Sequence, residues 1–296
     1  MDAKLETFLT VCETKKFTAA AKKLNLTQPA ISQHIKLLEQ EYDVKLFARV
    51  NNEMVLTKYG EILYKYALRI QSLYSSLSRK MIDSKKYTRS LTIGITHTSE
   101  SNITPEILAD YSIQNEGVYI KIVSDTINNL YEKLNNYQID LAIIEGKINS
   151  KKISSILLGQ DSLMAVMSPL NPLSNKSVIT IDDLKKENLI VRTLESGTTS
   201  LFIDELEKNN LSLDDFHIHL EIDSVSSIKE LLKKNLGVSI LARSACKKEI
   251  DDKELVVVPI ENLNMIREIS LAYIEGSVDS DVIDDISSTY REKVSY

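Results

Sequence analysis

The chain has 296 residues, 43% hydrophobic and 26% charged, with two cysteines and a net charge of −6. This is a globular composition with room for more than one core; no apolar run nears the ~18 residues of a membrane span, no signal-peptide pattern opens at Met1, and Cys12 and Cys246 cannot build a disulfide framework, so a cytoplasmic protein is expected. The charge is unevenly placed: residues 1–90 hold 16 Lys+Arg against 9 Asp+Glu and the remainder is net −13, the asymmetry of a nucleic-acid-binding head on a separate acidic body.

Leu5, Phe8, Leu9 and Cys12 recur at i, i+3, i+4, i+7, which predicts a first helix with Cys12 as a small buried hydrophobe rather than a reactive thiol. Thr18 is placed to cap a second helix through Ala19, Ala20 and Ala21, whose small side chains permit close packing. Asn25 tolerates the left-handed backbone of a tight turn. Thr27 is the expected N-cap of a third helix, with Pro29 in its first turn. On that helix Ile31, Ile35 and Leu38 face inward, while Gln28, Pro29, Ser32, Gln33 and Lys36 share the other side. That side is rich in hydrogen-bonding groups and free of acid. Gln pairs with an adenine edge through N6 and N7, Ser meets phosphate oxygens, and Lys neutralises phosphate. Alternation over 44–49 and 54–56 predicts two short strands around Val50-Asn51-Asn52-Glu53, and so a winged helix-turn-helix with Arg49 near the wing base. The tip, Asn-Asn-Glu, brings little positive charge.

The segments Phe17-Thr18-Ala19-Ala20-Ala21, Thr27-Gln28-Pro29-Ala30-Ile31-Ser32, Ile35-Lys36-Leu37-Leu38-Glu39, Leu46-Phe47-Ala48-Arg49 and Leu56-Thr57-Lys58-Tyr59-Gly60 stand in an order and spacing that resembles the N-terminal signature of LysR-type transcriptional regulators. The resemblance spans residues 1–60. It implies a DNA-binding domain over 1–58 that meets double-stranded promoter DNA through Thr18, Thr27, Gln28, Pro29, Ser32, Gln33, Lys36 and Arg49, with RNA polymerase as a partner if the protein activates. Two positions depart from the family pattern. Gln33 stands where Arg is frequent, which favours adenine or a water-mediated contact over guanine. Asp43 stands where Gly usually ends the recognition helix.

Tyr59, Leu63, Tyr66, Ile70, Leu73 and Leu77 alternate at spacings of four and three, a heptad seam of almost three heptads without proline. The expected element is a linker helix over 59–89, closed by Lys85, Lys86 and Arg89 at its C-terminal, negative end. The family resemblance implies that this helix pairs two chains and that the product is a homodimer or homotetramer.

From Leu91 the pattern changes to strands alternating with helices. Strands are expected at 91–95, 118–123 and 140–144, and helices at 105–111 and 126–136, a βαβαβ order that predicts a parallel sheet. A second unit begins near Asp161, with strands at 163–167, 189–191, 217–222 and 238–241 and helices at 201–209 and 224–235. A strand at 268–273 and a helix over 278–291 follow. This order resembles the LysR-family effector-binding domain, a two-lobed α/β fold like periplasmic binding proteins. It implies lobe I over 90–160 and 268–296, and lobe II over 161–267. The fold class is therefore α plus α/β.

Parallel α/β sheets bind ligands beyond the carboxyl ends of their strands. Two polar segments occupy that position, Thr96-His97-Thr98-Ser99-Glu100-Ser101 and Glu195-Ser196-Gly197-Thr198-Thr199-Ser200; the second opens a helix, where free N–H groups favour an anion. In the family, effectors sit between the lobes against these loops. The resemblance then assigns a small-molecule effector, expected to be anionic, to Thr96, Thr98, Ser99, Ser196, Gly197 and Thr198, with Glu145 and Gly146 beside them. No cofactor and no metal are expected: His217 and His219 share one side of a strand but lack a third ligand. Cys246 has no partner cysteine of the kind that peroxide-sensing members use. The chain lacks P-loop, GxGxxG, GxSxG and HExxH patterns, which argues against an enzyme. The alternative is a cytoplasmic small-molecule-binding protein of the same two-lobed fold without a DNA role.

Overall fold

The structure is a computed structural model and describes residues 1–50, 53–83, 87–146 and 152–294. The chain divides into two compact units, Met1–Lys85 and, from Lys86, the bulk of the remainder.

The first unit is a helical head with a small hairpin. Helices α1 (Ala3–Thr14), α2 (Phe17–Leu24) and α3 (Gln28–Tyr42) precede strands β1 (Phe47–Val50) and β2 (Glu53–Leu56) and the long helix α4 (Lys58–Asp83). Three non-glycine residues in left-handed backbone, Lys15, Asn25 and Asp43, stop α1, α2 and α3 in turn. Asp43 thus does the work of the glycine usual at that place, at a modest strain cost. Asp2 caps α1 by accepting from the Lys4 N–H, and Thr27 caps α3 by accepting from the Ala30 N–H. The expectation for Thr18 is corrected: the second helix begins at Phe17 with Lys16 as an N-cap that makes no side-chain bond. Thr18 therefore lies inside the first turn, exposed. The hairpin also starts later than expected: its ladder opens at Phe47 opposite Leu56, and Leu46, its side chain buried in the core, closes the base through its carbonyl, which accepts from the Thr57 N–H at 3.0 Å.

Phe8, Val11, Ala20, Ala21, Ile31, Ile35, Leu38, Leu46 and Ala67 form the core of this unit. Each large apolar side chain so buried stabilises by about 1.5–3 kcal/mol. Gly60 explains its own place in the sequence. A Cβ there would lie 2.2 Å from the Leu46 carbonyl oxygen, so only glycine lets α4 leave the hairpin so closely.

The second unit is α/β. In chain order it holds β3 (Arg89–Thr96), α5 (Thr104–Gln114), β4 (Val118–Asp125), α6 (Ile127–Asn135), β5 (Leu141–Glu145), β6 (Ser154–Met167), α7 (Ile181–Leu184), β7 (Leu189–Val191), α8 (Gly197–Lys208), β8 (Ile218–Glu221), α9 (Val225–Lys233), β9 (Ser239–Ala242), α10 (Lys247–Asp251), β10 (Val256–Val258), β11 (Ile266–Tyr273) and α11 (Ser280–Val294). The expected helix end at Arg89 is corrected. Arg89 opens β3, and its guanidinium pairs with Asp279 and Asp281; Lys85 and Lys86 lie outside the described residues, as does the hairpin tip Asn51-Asn52.

The sheet order is β10-β6-β11-β5-β3-β4, with β9 also on β6. The parallel pairing expected of the βαβαβ run holds: β3 runs parallel to β4 and to β5, and β7 runs parallel to β8 in a separate two-stranded sheet. Strand β11 runs antiparallel to both β5 and β6, and β9 and β10 run antiparallel to β6. The cause is the return path: β6 carries the chain out of one core and β11 brings it back alongside, so they must run oppositely. Strand β6 is also longer than the expected 163–167. Its first part pairs with β11 and its last with β9 and β10. Two sets of apolar cores lie on either side of this pair of crossing strands. One is built on Leu91, Ile93, Ile107, Ile143, Leu271 and Tyr290, the other on Ala165, Met167, Leu189, Phe202, Val238 and Ile240.

Candidate functional site

Two places carry polar groups that the fold itself does not use. The first is the outer face of α3. Ile31, Ile35 and Leu38 hold the helix to the core, and Thr7 bonds the His34 ring at 2.8 Å, fixing α3 against α1. Gln28, Pro29, Ser32, Gln33 and Lys36 are all exposed, and none of their side chains forms a hydrogen bond or ion pair with a described residue. The periodicity of α3 brings these five together. Thr27 sits at the head of the same helix, and its hydroxyl is spent on the cap. Arg49, exposed on the hairpin opposite Met54, is likewise unpaired. By contrast Lys4, Lys23 and Lys45 are consumed by Glu41, Glu13 and Glu39. A solvent-facing helix side with amide, hydroxyl and ammonium groups and no carboxylate matches a DNA groove in both hydrogen bonding and charge.

The second place is a small polar pocket in the α/β unit, beyond the carboxyl ends of β3, β5 and β7. Thr96, Thr98, Glu145, Ser196 and Gly197 line it; Ser99, Gly146 and Thr198 do not reach its wall. Ser99 still belongs to the network, because its hydroxyl and that of Thr96 both donate to the Glu145 carboxylate. Ser196 caps α8 through the Thr199 N–H at 3.1 Å, and the Thr199 hydroxyl in turn donates to the Arg192 carbonyl at 2.8 Å. Asp125, at the rim, is held below the usual carboxylate range. Burial pushes it up, but the Lys133 ammonium, the Asn129 amide and the Thr126 N–H together outweigh that effect.

Two arginines that were not among the expected residues dominate the electrostatics. Arg192, nearly fully buried, donates from Nη2 to Asp223 at 2.7 Å, from Nε to the Asp223 carbonyl at 3.0 Å, and from Nη1 to Thr98 at 3.4 Å. That last bond joins the two crossing-strand cores, since Thr98 follows β3 and Arg192 follows β7. His97 lies between Glu100 and Asp223, with ring nitrogens at 3.6 and 3.9 Å. Arg267 is buried beside Asp161, which also accepts from the Ser244 hydroxyl at 2.8 Å. A signal for Arg267 was present in the sequence. It falls in phase with Ile269 and Leu271, the buried side of an alternating strand. Arg192 had a weaker one, a cation directly after the apolar run Leu189-Ile190-Val191. The pocket encloses about 20 Å³, close to the room of one water molecule.

No group of three or more His, Cys, Asp or Glu among the described residues could hold a metal ion; His217 and His219 are exposed. Burial pushes the thiols of Cys12 and Cys246 up to about 12, so both stay protonated near neutrality. Native protein is therefore expected to react with iodoacetamide at about pH 8 at least tenfold more slowly than denatured protein, because only thiolate attacks. Peptide mass spectrometry over time checks this, and fast modification of either cysteine in the folded state would contradict it.

Residues 84–294 match the family model described as the LysR substrate binding domain, and residues 3–61 match that of the bacterial regulatory helix-turn-helix protein, lysR family. Among curated relatives, the chain is 29% identical over 288 residues to a probable RuBisCO transcriptional regulator of Phaeodactylum tricornutum, covering 95% of this chain and 93% of that one. It is 28% identical over 267 residues to the HTH-type transcriptional regulator CysL of Bacillus subtilis, covering 90% and 88%. Its fold is similar to that of full-length CbnR in complex with target DNA, with a TM-score of 0.68 at 17% identity over 99% of this chain and all of that one.

Proposed function

This chain belongs to the LysR family of DNA-binding transcriptional regulators and is not an enzyme, and we propose that α3 reads promoter DNA while a small molecule carrying an anionic group, bound in the polar pocket, modulates that reading. The reading of a binding protein without a DNA role falls with the match of residues 3–61. The regulator acts in the cytoplasm, as a homodimer or homotetramer joined through α4, and meets RNA polymerase where it activates. The proposed contacts are Gln28, Pro29, Ser32 and Gln33 in the groove, with Thr18, Thr27, Lys36 and Arg49 toward the phosphates. The proposed effector contacts are Thr96, Thr98, Ser99, Glu145, Gly146, Ser196, Gly197 and Thr198, to which Arg192 and Arg267 are added. The unpartnered polar face of α3 is the single observation that carries the DNA role.

Fluorescence anisotropy with a specific promoter fragment and a scrambled one tests it. Gln28→Ala weakens specific binding by about 1–3 kcal/mol and leaves scrambled DNA little changed, whereas Lys36→Ala weakens both and lowers the salt slope by about one. Equal losses on both fragments for both variants would remove base reading from Gln28. Effector control rests on the Thr98–Arg192 bond between the lobes. A ligand that parts or tightens it shifts the population of lobe arrangements, and with it the placement of the paired recognition helices.

A further inference from the structure

Glu145 and Arg267 face one pocket and do not satisfy each other. Glu145 ends β5 and is 2% exposed. Among the described residues its carboxylate receives the hydroxyls of Thr96 and Ser99, and no cation lies within ion-pair distance. Hydroxyls donate hydrogen bonds but cancel no charge, and a buried carboxylate without a cation is costly. Arg267 is 7% exposed. One Nη binds Asp161 at 3.4 Å, while Nε is buried with no acceptor among the described residues. In the β5–β11 ladder Glu145 stands opposite Ile269, which puts Arg267 two residues away on the same face, a diagonal neighbour. A buried carboxylate without a paired cation and a guanidinium N–H without an acceptor thus border the same small space.

The rest of the wall sharpens the chemistry. Gly197 lies on it and opens α8, and the first N–H groups of a helix lack intrahelical acceptors. That end and Arg267 suit a carboxylate. Yet among the described lining residues two arginines face four carboxylates, Asp125, Glu145, Glu195 and Asp223, which disfavours a ligand that is only negative.

We propose that the effector is a zwitterion of the α-amino acid type, its ammonium on Glu145 and its carboxylate on Arg267 Nε and the start of α8. This rests on the reading of the pocket as the effector site and specifies the ligand class there. An amino acid exceeds about 20 Å³, so its arrival separates Thr98 from Arg192, which ties occupancy to the lobe arrangement.

The test uses the full chain and calorimetric titration with the standard α-amino acids. For each that binds, the matched acid lacking the amino group and the matched amine lacking the carboxylate follow. The expected result is at least one amino acid that binds, with both truncated partners weaker by about tenfold or more. Glu145→Gln then weakens the amino acid by a similar factor and leaves the deaminated acid unchanged. The comparison among ligands on the unaltered protein does not depend on how the variant folds. The proposal is overturned if the deaminated acid binds as tightly as the amino acid, or if no amino acid binds. Should simple carboxylic acids bind in an Arg267-dependent way, the effector site stands and only the zwitterion falls. Should no amino acid, acid or amine bind or alter DNA binding, the effector site falls too.

Discussion

In the homo-oligomer proposed above, replacing Ile70 and Leu77 together by aspartate is expected to leave single chains and to weaken binding to the DNA site by about 10²–10⁴-fold. Helix α4 has two apolar sides. One, with Leu63, Ala67 and Leu68, packs into the core of the head. The other carries Tyr59, Tyr66, Ile70, Leu73 and Leu77 of the expected heptad seam, from which Leu63 is withdrawn into the head core, and here Ile70 is 44% and Leu77 58% exposed. A side chain that open contributes little to the stability of the single chain, so its change to aspartate leaves the head folded. In a paired seam the same change buries a carboxylate, which costs several kcal/mol per position. The seam also continues into an apolar groove of about 400 Å³ bordered by Leu5, Tyr42, Tyr59, Ile62 and Tyr66, a receptive floor for a second copy of the helix. The loss on DNA is large because a paired protein binds with two recognition helices, the second at high effective concentration. Sedimentation velocity reads the assembly and anisotropy reads the DNA. An oligomer that survives the double substitution would move the interface away from α4.

The head was legible from the sequence because its determinants are local. Asn25 and Thr27 announce their own backbone, and the 3.6-residue period of α3 separates Ile31, Ile35 and Leu38 from Gln28, Ser32 and Gln33 without reference to anything distant. Thr18 failed on the same local level: a cap hydroxyl and a first-turn threonine look alike, and Phe17 packing against Phe47 decides between them. The pocket was half legible. Loops at strand ends identified Thr96, Thr98, Ser196 and Gly197, but the arginines belong to no motif. Arg267 is brought to Glu145 by the β5–β11 pairing across more than 120 positions, and a strand pairing of that range leaves no local trace. The family resemblance placed the return of the chain near β11, but the antiparallel register of β11 against β5 and β6 leaves no local trace for the same reason.

Asp161→Ala destabilises the α/β unit by about 3–5 kcal/mol and lowers its melting temperature by about 10 °C. Asp161 sits on β6 just before the strand changes partners from β11 to β9 and β10, and Arg267 answers it from β11. Both side chains are about 5% exposed. The carboxylate also accepts from the Ser244 hydroxyl and from the N–H groups of Ser162 and Ser244. Alanine therefore strands a buried guanidinium and several donors at once, and the penalty comes from the groups left behind more than from the attraction lost. The double variant Asp161→Ala/Arg267→Met removes the stranded charge and is expected to regain most of the loss. Scanning calorimetry of the three proteins separates the two terms. A single variant no less stable than the double would mean that water reaches Arg267 freely. The orphan Nε in the pocket would then lose its claim on a ligand, so the stability of this crossing pair and the chemistry of the effector site stand on the same desolvated guanidinium.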